Sequence, residues 1–399
     1  MKHILYIIGI AIIFWGCKKE STIGVEQSEY FIKFFGNSYL DNGYDVQQTA
    51  DEGYIIIGSI SVSATNKDIA IIKTNKFGNQ EWLTSFGDSL IDNGRGVACN
   101  SNGDYIVVGS YSNSLGNSDV VVLKLNASGS IIWNKKIGGT ASEEAYSIQE
   151  TTDGGYIITG STNALNTGNG NPFGEKDIFL LKINASGDSL WSKALGGSLS
   201  DIGYCVKQKN DKGFIIVGKT NSFSEPGQSS DNMIIIETNN FGIQTDKITY
   251  GGTGFDIGKD IQILSNGYAF VGSTINSNNG KSDVYFVKTT TDIHSVIMNK
   301  TYGGDLDDYG ESIIINNDGS FIIVGSTESY GNGGEDSYLL KLTSDGTEDF
   351  HKTFGGAGSE SANAIIQTTD MGYAFVGTTD FSENGMILLT KINNNCELN

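Results

Sequence analysis

The stretch Gly154-Gly155-Tyr156-Ile157-Ile158-Thr159-Gly160 returns in altered form along the chain, and this recurrence limits the fold more than any other feature. The last glycine of each copy stands at Gly58, Gly109, Gly160, Gly218, Gly272, Gly325 and Gly377, so seven copies follow at intervals of 51, 51, 58, 54, 53 and 52 residues. Each copy holds four short runs of β-branched and aromatic residues, lettered a to d in chain order. In the third copy they cover residues 145–151, 156–161, 177–183 and 189–194. Runs of this length bounded by turn residues read as strands. The 53 glycines and 2 prolines suit many tight turns, and no long 3.6-residue period follows the N-terminus.

A four-stranded sheet of one repeat cannot bury both faces alone, whereas radial stacking of several such sheets does so. The expected fold is therefore all-β: a seven-bladed β-propeller with four-stranded blades over residues 30–395. Strand a carries a β-branched column (Val46, Val97, Ile148, Val206, Ile261, Ile313, Ile365) suited to packing between blades. Strand b opens on an aromatic (Tyr54, Tyr105, Tyr156, Phe214, Tyr268, Phe321, Tyr373) and closes on the glycine, where a backbone approaches or bends. Asp153-Gly154-Gly155 typifies the a–b turn, with hairpin chemistry. The seventh copy stops after Ile392 without a d run, but Phe31-Ile32-Lys33-Phe34-Phe35-Gly36 resembles Phe350-His351-Lys352-Thr353-Phe354-Gly355. The N-terminal strand is thus expected to complete the last blade and remove an open edge.

Lys2 and His3 precede an apolar run over residues 4–15, which ends in Gly16-Cys17 before Lys18, Lys19 and Glu20. Residues 1–16 have the layout of a secretory signal peptide, and about a dozen apolar residues are too few to span a bilayer. The small residue before Cys17 resembles a bacterial lipobox, which implies lipidation of Cys17 and a polar tether over residues 17–29. The expected place is outside the cytoplasm, anchored by lipid (palmitate among the acyl chains) to the cell envelope at the outer membrane. The remaining cysteines, Cys99, Cys205 and Cys396, fall at non-equivalent repeat positions and suggest neither a disulfide framework nor a metal pair. A net charge of -20, with the acids scattered, argues against nucleic acid and anionic lipid surfaces as partners.

The pattern Asp153-Gly154-Gly155-Tyr156-Ile157-Ile158-Thr159-Gly160-Ser161-Thr162, the run from Asp177 to Gly187, then Trp191 and Gly196-Gly197, resembles the delta-60-type propeller repeats of secreted and surface bacterial proteins. The spacing Gly78 to Trp82, Gly129 to Trp133 and Gly187 to Trp191 resembles the tryptophan motif of quinoprotein-like propellers, including an outer-membrane assembly lipoprotein of that type. That motif lapses after the third copy, so no quinone cofactor is expected. Similar repeats are also matched to bulb-type lectins, which implies glycan binding without marking a sugar site. Fold likeness by itself does not transfer function.

One acid precedes strand a in every copy: Asp41, Asp92, Glu143, Asp201, Asp256, Asp308 and Glu360. With strand a innermost, as in WD40-like propellers, these carboxylates would form a ring near the axis that could bind Ca²⁺ or another hard cation, or steer a basic ligand. Alternatively each acid caps its own loop or bonds backbone amides, a repeated structural device. Repetition in every blade is what scaffolding predicts. A second column, Asp68, Asp119, Asp177, Asp283 and Asp336, lies five residues before Lys73, Lys124, Lys182, Lys288 and Lys341, where turn capping and strand-face charge account for both.

The copies differ most between strands b and c. The distance from the strand b glycine to the lysine position is 22 residues in copy three and 19 in copy four, against 14–16 elsewhere, and Pro172 and Pro226 fall in these two loops. Pro172, Phe173, Phe223 and Pro226 are candidate binding residues, since long loops on a rigid scaffold carry binding. Past the signal segment only His294 and His351 remain, with no HExxH, GxSxG or P-loop. The expected function is a lipid-anchored, monomeric binding or scaffolding module for an envelope protein or glycan, without catalysis or cofactor unless Ca²⁺ binds. A surface glycan-binding protein and a glycoside hydrolase or other hydrolase are the alternatives.

Overall fold

The computed structural model describes residues 28–36, 40–100, 102–113, 116–163, 175–223, 230–275, 281–380 and 385–398. Cys17, with residues 1–16 and most of the tether, lies outside them, as do Pro172, Phe173 and Pro226. The strands form seven four-stranded antiparallel sheets, each taking its strands in the order a, b, c, d. In blade three they are Glu143–Glu150, Tyr156–Thr162, Asp177–Ile183 and Ser189–Leu195. Strand a starts two residues before the expected 145, because Glu143 and Glu144 already pair with Thr162 and Ser161 of strand b.

The seventh sheet is built as the chain ends suggest. The N-terminal strand Phe31–Phe35 lies antiparallel to the last strand, Met386–Ile392, with Phe31 opposite Lys391 and Phe35 opposite Ile387. Strand a of each blade contacts strand a of both neighbours, and Asn42–Gln48 against Glu360–Gln367 closes the circle. The seven-bladed propeller with its edge closed by the N-terminal strand follows from these pairings.

The core consists of seams between blades. Ile55, Ile57, Ile69 and Ile71 of blade one pack with Val97, Tyr105, Val107, Val121 and Leu123 of blade two. Phe31 and Phe35 join Val376 and Leu389 of blade seven to Val46, Ile56 and Ile72 of blade one. Strands b and c are therefore buried on both faces, as Tyr156–Thr162 and Asp177–Ile183 are along their whole length. Each fully buried isoleucine in such a seam contributes about 2 kcal/mol. The β-branched column of strand a, from Val46 to Ile365, lies wholly within these seams.

Candidate functional site

The glycine that closes each strand b places one side chain per blade in the central channel. A Cβ at Gly58, Gly109, Gly160, Gly218, Gly272, Gly325 or Gly377 would stand 1.7–2.1 Å from a carbonyl oxygen of strand a. Those oxygens belong to Asn42, Asn93, Glu144, Ile202, Ile257, Tyr309 and Ser361. Only glycine permits this approach, and just past it strand a carries a β-bulge in every blade. The pairing skips from Gly43 to Asp45, Gly94 to Gly96, Ala145 to Ser147, Gly203 to Cys205, Gly258 to Asp260, Gly310 to Ser312 and Ala362 to Ala364. The residues left without a strand b partner are Tyr44, Arg95, Tyr146, Tyr204, Lys259, Glu311 and Asn363. These same seven line a cavity of about 440 Å³ on the channel axis.

They form a connected collar. The Arg95 guanidinium lies 4.0 Å from the centre of the Tyr44 ring and 5.6 Å from that of Tyr146. Tyr146 meets Tyr204 at 5.4 Å, and Lys259 sits 5.1 Å from the Tyr204 ring. Lys259 donates to both Glu311 oxygens at 2.9 and 2.8 Å, and Asn363 Nδ2 donates to the Gly43 carbonyl at 2.6 Å, joining blade seven to blade one. Burial, with Glu144 beside Tyr146 and Glu311 near Tyr204, raises both phenols above the usual tyrosine range, so they stay neutral donors.

Below the collar the channel continues past Asp45, Lys207 and Asp260. Asp45 accepts from the Val46 and Val97 amides, both at 2.8 Å, and burial pushes its carboxyl up to about 7. Asp260 accepts from the Ile261 and Ile313 amides at 2.7 and 3.0 Å and from the Ser312 hydroxyl at 3.0 Å. An acid following the bulge therefore ties its strand a to that of the next blade. Lys207 is deep in the molecule yet keeps contact with the channel; Cys205, then Asp260 and Asp45, raise its ammonium against the cost of burial.

The acid column foreseen from the sequence lies just outside this collar. Asp41, Asp92, Glu143, Asp201, Asp256, Asp308 and Glu360 are all buried, and their carboxylates engage groups of their own blade. One oxygen faces the end of strand b, accepting from the Ser61 or Ser112 amide or from the Thr162, Thr220, Thr274, Thr327 or Thr379 hydroxyl. From Asp92 onward the other accepts a d–a loop amide, for example Gly197 at 2.8 Å and Gly304 at 2.7 Å. The backbone amide of the acid meanwhile bonds the start of strand c in the preceding blade, as Asp92 does with Lys67 and Asp201 with Lys176. These bonds bring the d–a and b–c loops onto one face, the one at which strand a enters and the collar opens.

The second acid column meets the first at the glycine that follows strand d. A Cβ at Gly87, Gly138, Gly196, Gly303 or Gly355 would come within 1.9–2.4 Å of Asp68, Asp119, Asp177, Asp283 or Asp336 and within 2.6–2.7 Å of the strand a acid. A glycine hydrogen is what fits between the two carboxylates. Burial, and then the charge of Asp201, push Asp177 up to about 7, and its inward oxygen accepts no hydrogen bond among the described residues. The buried lysines turn to the a–b turns: Lys73 meets Asp51 at 2.8 Å, Lys182 meets Asp153 at 3.0 Å, and Lys391 meets Asp370 at 2.9 Å. Blade four inverts the pair, with Glu237 at the lysine position and Lys209 in the turn, 3.2 Å apart. Phe223, the described member of the loop candidates, is half-buried under Lys247, whose ammonium is 3.1 Å from the ring centre.

Two stretches of the sequence, residues 101–131 and 317–349, match the family described as Domain of unknown function (DUF5122) beta-propeller. The repeats are β-propeller repeats. The sequence matches no curated protein. Among solved structures, the WD40 domain of Neurospora crassa Pan2 is similar with a TM-score of 0.51 and 9% identity, over 88% of this chain and 89% of that one. Drosophila Plexin A, solved in complex with Semaphorin 1b, is similar with a TM-score of 0.51 and 9% identity, over 90% of this chain and 88% of that one. At this identity the likeness extends to the fold alone.

The collar was not singled out in the sequence. Its residues lie two before the β-branched column, so simple alternation assigns them to the buried seam. The bulge undoes that assignment by turning one residue toward the axis. A signal was present: this column of strand a changes residue type between blades instead of repeating in kind, and it contains the chain's single arginine.

Proposed function

We propose that the protein is a binding module whose ligand sits on the collar at the channel mouth. The observation that carries this reading is the contrast between columns. The scaffolding positions repeat in kind, whereas the bulged position presents Tyr44, Arg95, Tyr146, Tyr204, Lys259, Glu311 and Asn363 to one cavity of about 440 Å³. A space of that size with converging polar groups on a mainly prebuilt frame has the character of a ligand site. Binding is favoured over hydrolysis because Glu311 is the collar's lone carboxylate and is held by Lys259 at 2.8 Å. A glycosidase needs two carboxyl groups facing the scissile bond.

The test is a thermal-shift and titration screen of the chain from residue 18 onward against saccharides and peptides, with Tyr146→Ala and Asn363→Trp beside the wild type. Ligands of the wild type should lose affinity in both variants. Retention of every one of them in both would remove the collar as the site.

We further propose that the propeller works outside the cytoplasm, tethered to the envelope by lipid on Cys17. Support comes from the charged start, the short apolar run and the Gly16-Cys17 junction. Metabolic labelling with palmitate in a bacterial host should mark the wild type and not Cys17→Ser. An unlabelled wild type recovered without membrane would overturn the anchor.

A further inference from the structure

We propose that the collar recognises an acidic sugar unit, its carboxylate held by Arg95 and its hydroxyls by the opposite side of the channel mouth; this rests on the collar being the ligand site. The chain has 46 acidic residues and one arginine, and that arginine is at the bulge of blade two. Among the described residues no carboxylate pairs with it. Its faces are taken by Tyr44 and Tyr146, at 4.0 and 5.6 Å, which leaves the donor edges of a planar guanidinium open to the cavity. That fork matches the two oxygens of a carboxylate, and stacking holds it oriented before any ligand arrives. The other collar cation, Lys259, is engaged by Glu311. Lys207, deeper in the channel, has Asp260 and Asp45 near it to offset its charge, which leaves Arg95 as the cation open to an anion at the mouth.

The remaining collar groups favour a sugar as the carrier of that carboxylate. Tyr44, Tyr146 and Tyr204 offer aromatic rings, Tyr146 with its hydroxyl donated to Glu144, while Glu311, three blades round the ring from Arg95, and the Oδ1 of Asn363, two blades round, offer acceptors. Sugars present C–H faces for stacking and hydroxyls for such acceptors. The collar has no aliphatic side chain to hold a peptide's apolar residues, and an acidic peptide side chain is the rival that the titration separates. A net charge of -20 also works against densely charged polyanions at the rim, so one carboxylate per unit suits the site better than a phosphate chain.

The experiment titrates the full mature chain with oligogalacturonate and oligoglucuronate, with their carboxyl-reduced counterparts, and with an acidic peptide. The acidic sugars should bind and weaken with added salt, and carboxyl reduction should cost roughly tenfold or more, as expected for a charge-assisted bidentate contact. Arg95→Gln should cost about as much, and Arg95→Lys should recover only part of the affinity because it lacks the planar fork. Unchanged melting temperatures of these variants separate lost recognition from lost folding. Equal affinity for reduced sugars, an Arg95→Gln variant that binds as the wild type, or a wild type that binds only the peptide or none of the acidic sugars would each overturn the inference. Neutral sugars that bind and are lost in Tyr146→Ala would leave the collar as a site and remove only its acidic specificity. Binding kept in both Tyr146→Ala and Arg95→Gln would remove the collar itself.

Discussion

At the scale of single residues, two glycine columns and two acid columns do the positioning. Gly160 shows the stakes: a Cβ there would stand 1.7 Å from the Glu144 carbonyl, so Gly160→Ala must push strand a away and with it the Tyr146 bulge. A loss of about 3 kcal/mol in urea unfolding is expected. The strand a acids already accept donors on both sides, so chelation should leave the melting temperature unchanged, while Asp201→Ala should lower it by the equivalent of roughly 2 kcal/mol for unsatisfied buried donors. A melting temperature that falls on chelation would restore a cation to that column. Protonation adds a second test. Asp177 and Asp45 have folded-state pKa values raised to about 7, so the folded form holds protons that the unfolded chain releases at lower pH. Their stabilising contribution is complete below about 4, the ordinary aspartate value, and is lost as pH rises through 7. The melting temperature should accordingly be higher at pH 5.5 than at pH 8, and Asp177→Asn should flatten that difference.

Between elements, each blade is locked to the next by an outer rung. Trp82, Trp133 and Trp191 in strand d lie against Gly129, Gly187 and Gly242 in the c–d turn of the following blade, where a Cβ would approach the indole to 2.5–2.7 Å. The tryptophan spacing is thus a packing device in this chain. Between blades four and five both partners change together: Asp246 stands at the tryptophan position, His294 at the glycine position, and they meet at 3.1 Å. Hydrogen bonding to Asp246 raises the His294 pKa. Trp133→Ala should cost roughly 2 kcal/mol at any pH, since it removes partly buried apolar contact. His294→Ala should cost less, because an exposed pair is screened by solvent. Its effect should be present below pH 6 and vanish as pH rises past the raised histidine value. An effect of His294→Ala that is the same at pH 6 and pH 9 would contradict an ion pair at this seam.

For the whole molecule, closure is what makes seven marginal sheets one body. The N-terminal strand supplies blade seven with its outer strand, and its Phe31 and Phe35 enter the seam shared with blade one. A chain starting after Gly36 would leave Met386–Ile392 as an open edge and lose both aromatics from that seam. Such a chain should melt at lower temperature and associate on size-exclusion chromatography. A truncated chain that stays monomeric with an unchanged melting temperature would mean that the strand is dispensable. A synthetic peptide of residues 28–36 added in excess should restore part of the lost stability by mass action.

The sequence by itself determined the number of blades, the strand order and the place where the ends meet, because these follow from local periodicity repeated seven times and need no knowledge of distance. It also located the acid columns, since hydrogen-bonded rivets must use the same residue type in every copy. The collar was decided by tertiary structure. Tyr44 and Val46 share a face under strict alternation, yet Val46 is buried in a seam while Tyr44 lines the channel, and only the bulge opposite Gly58 separates them. Convergence is the second reason: Arg95 and Glu311 lie far apart along the chain and come to one cavity only when the blades close into a circle. A repeat records what every blade must share, whereas a ligand site is made from what the blades do differently.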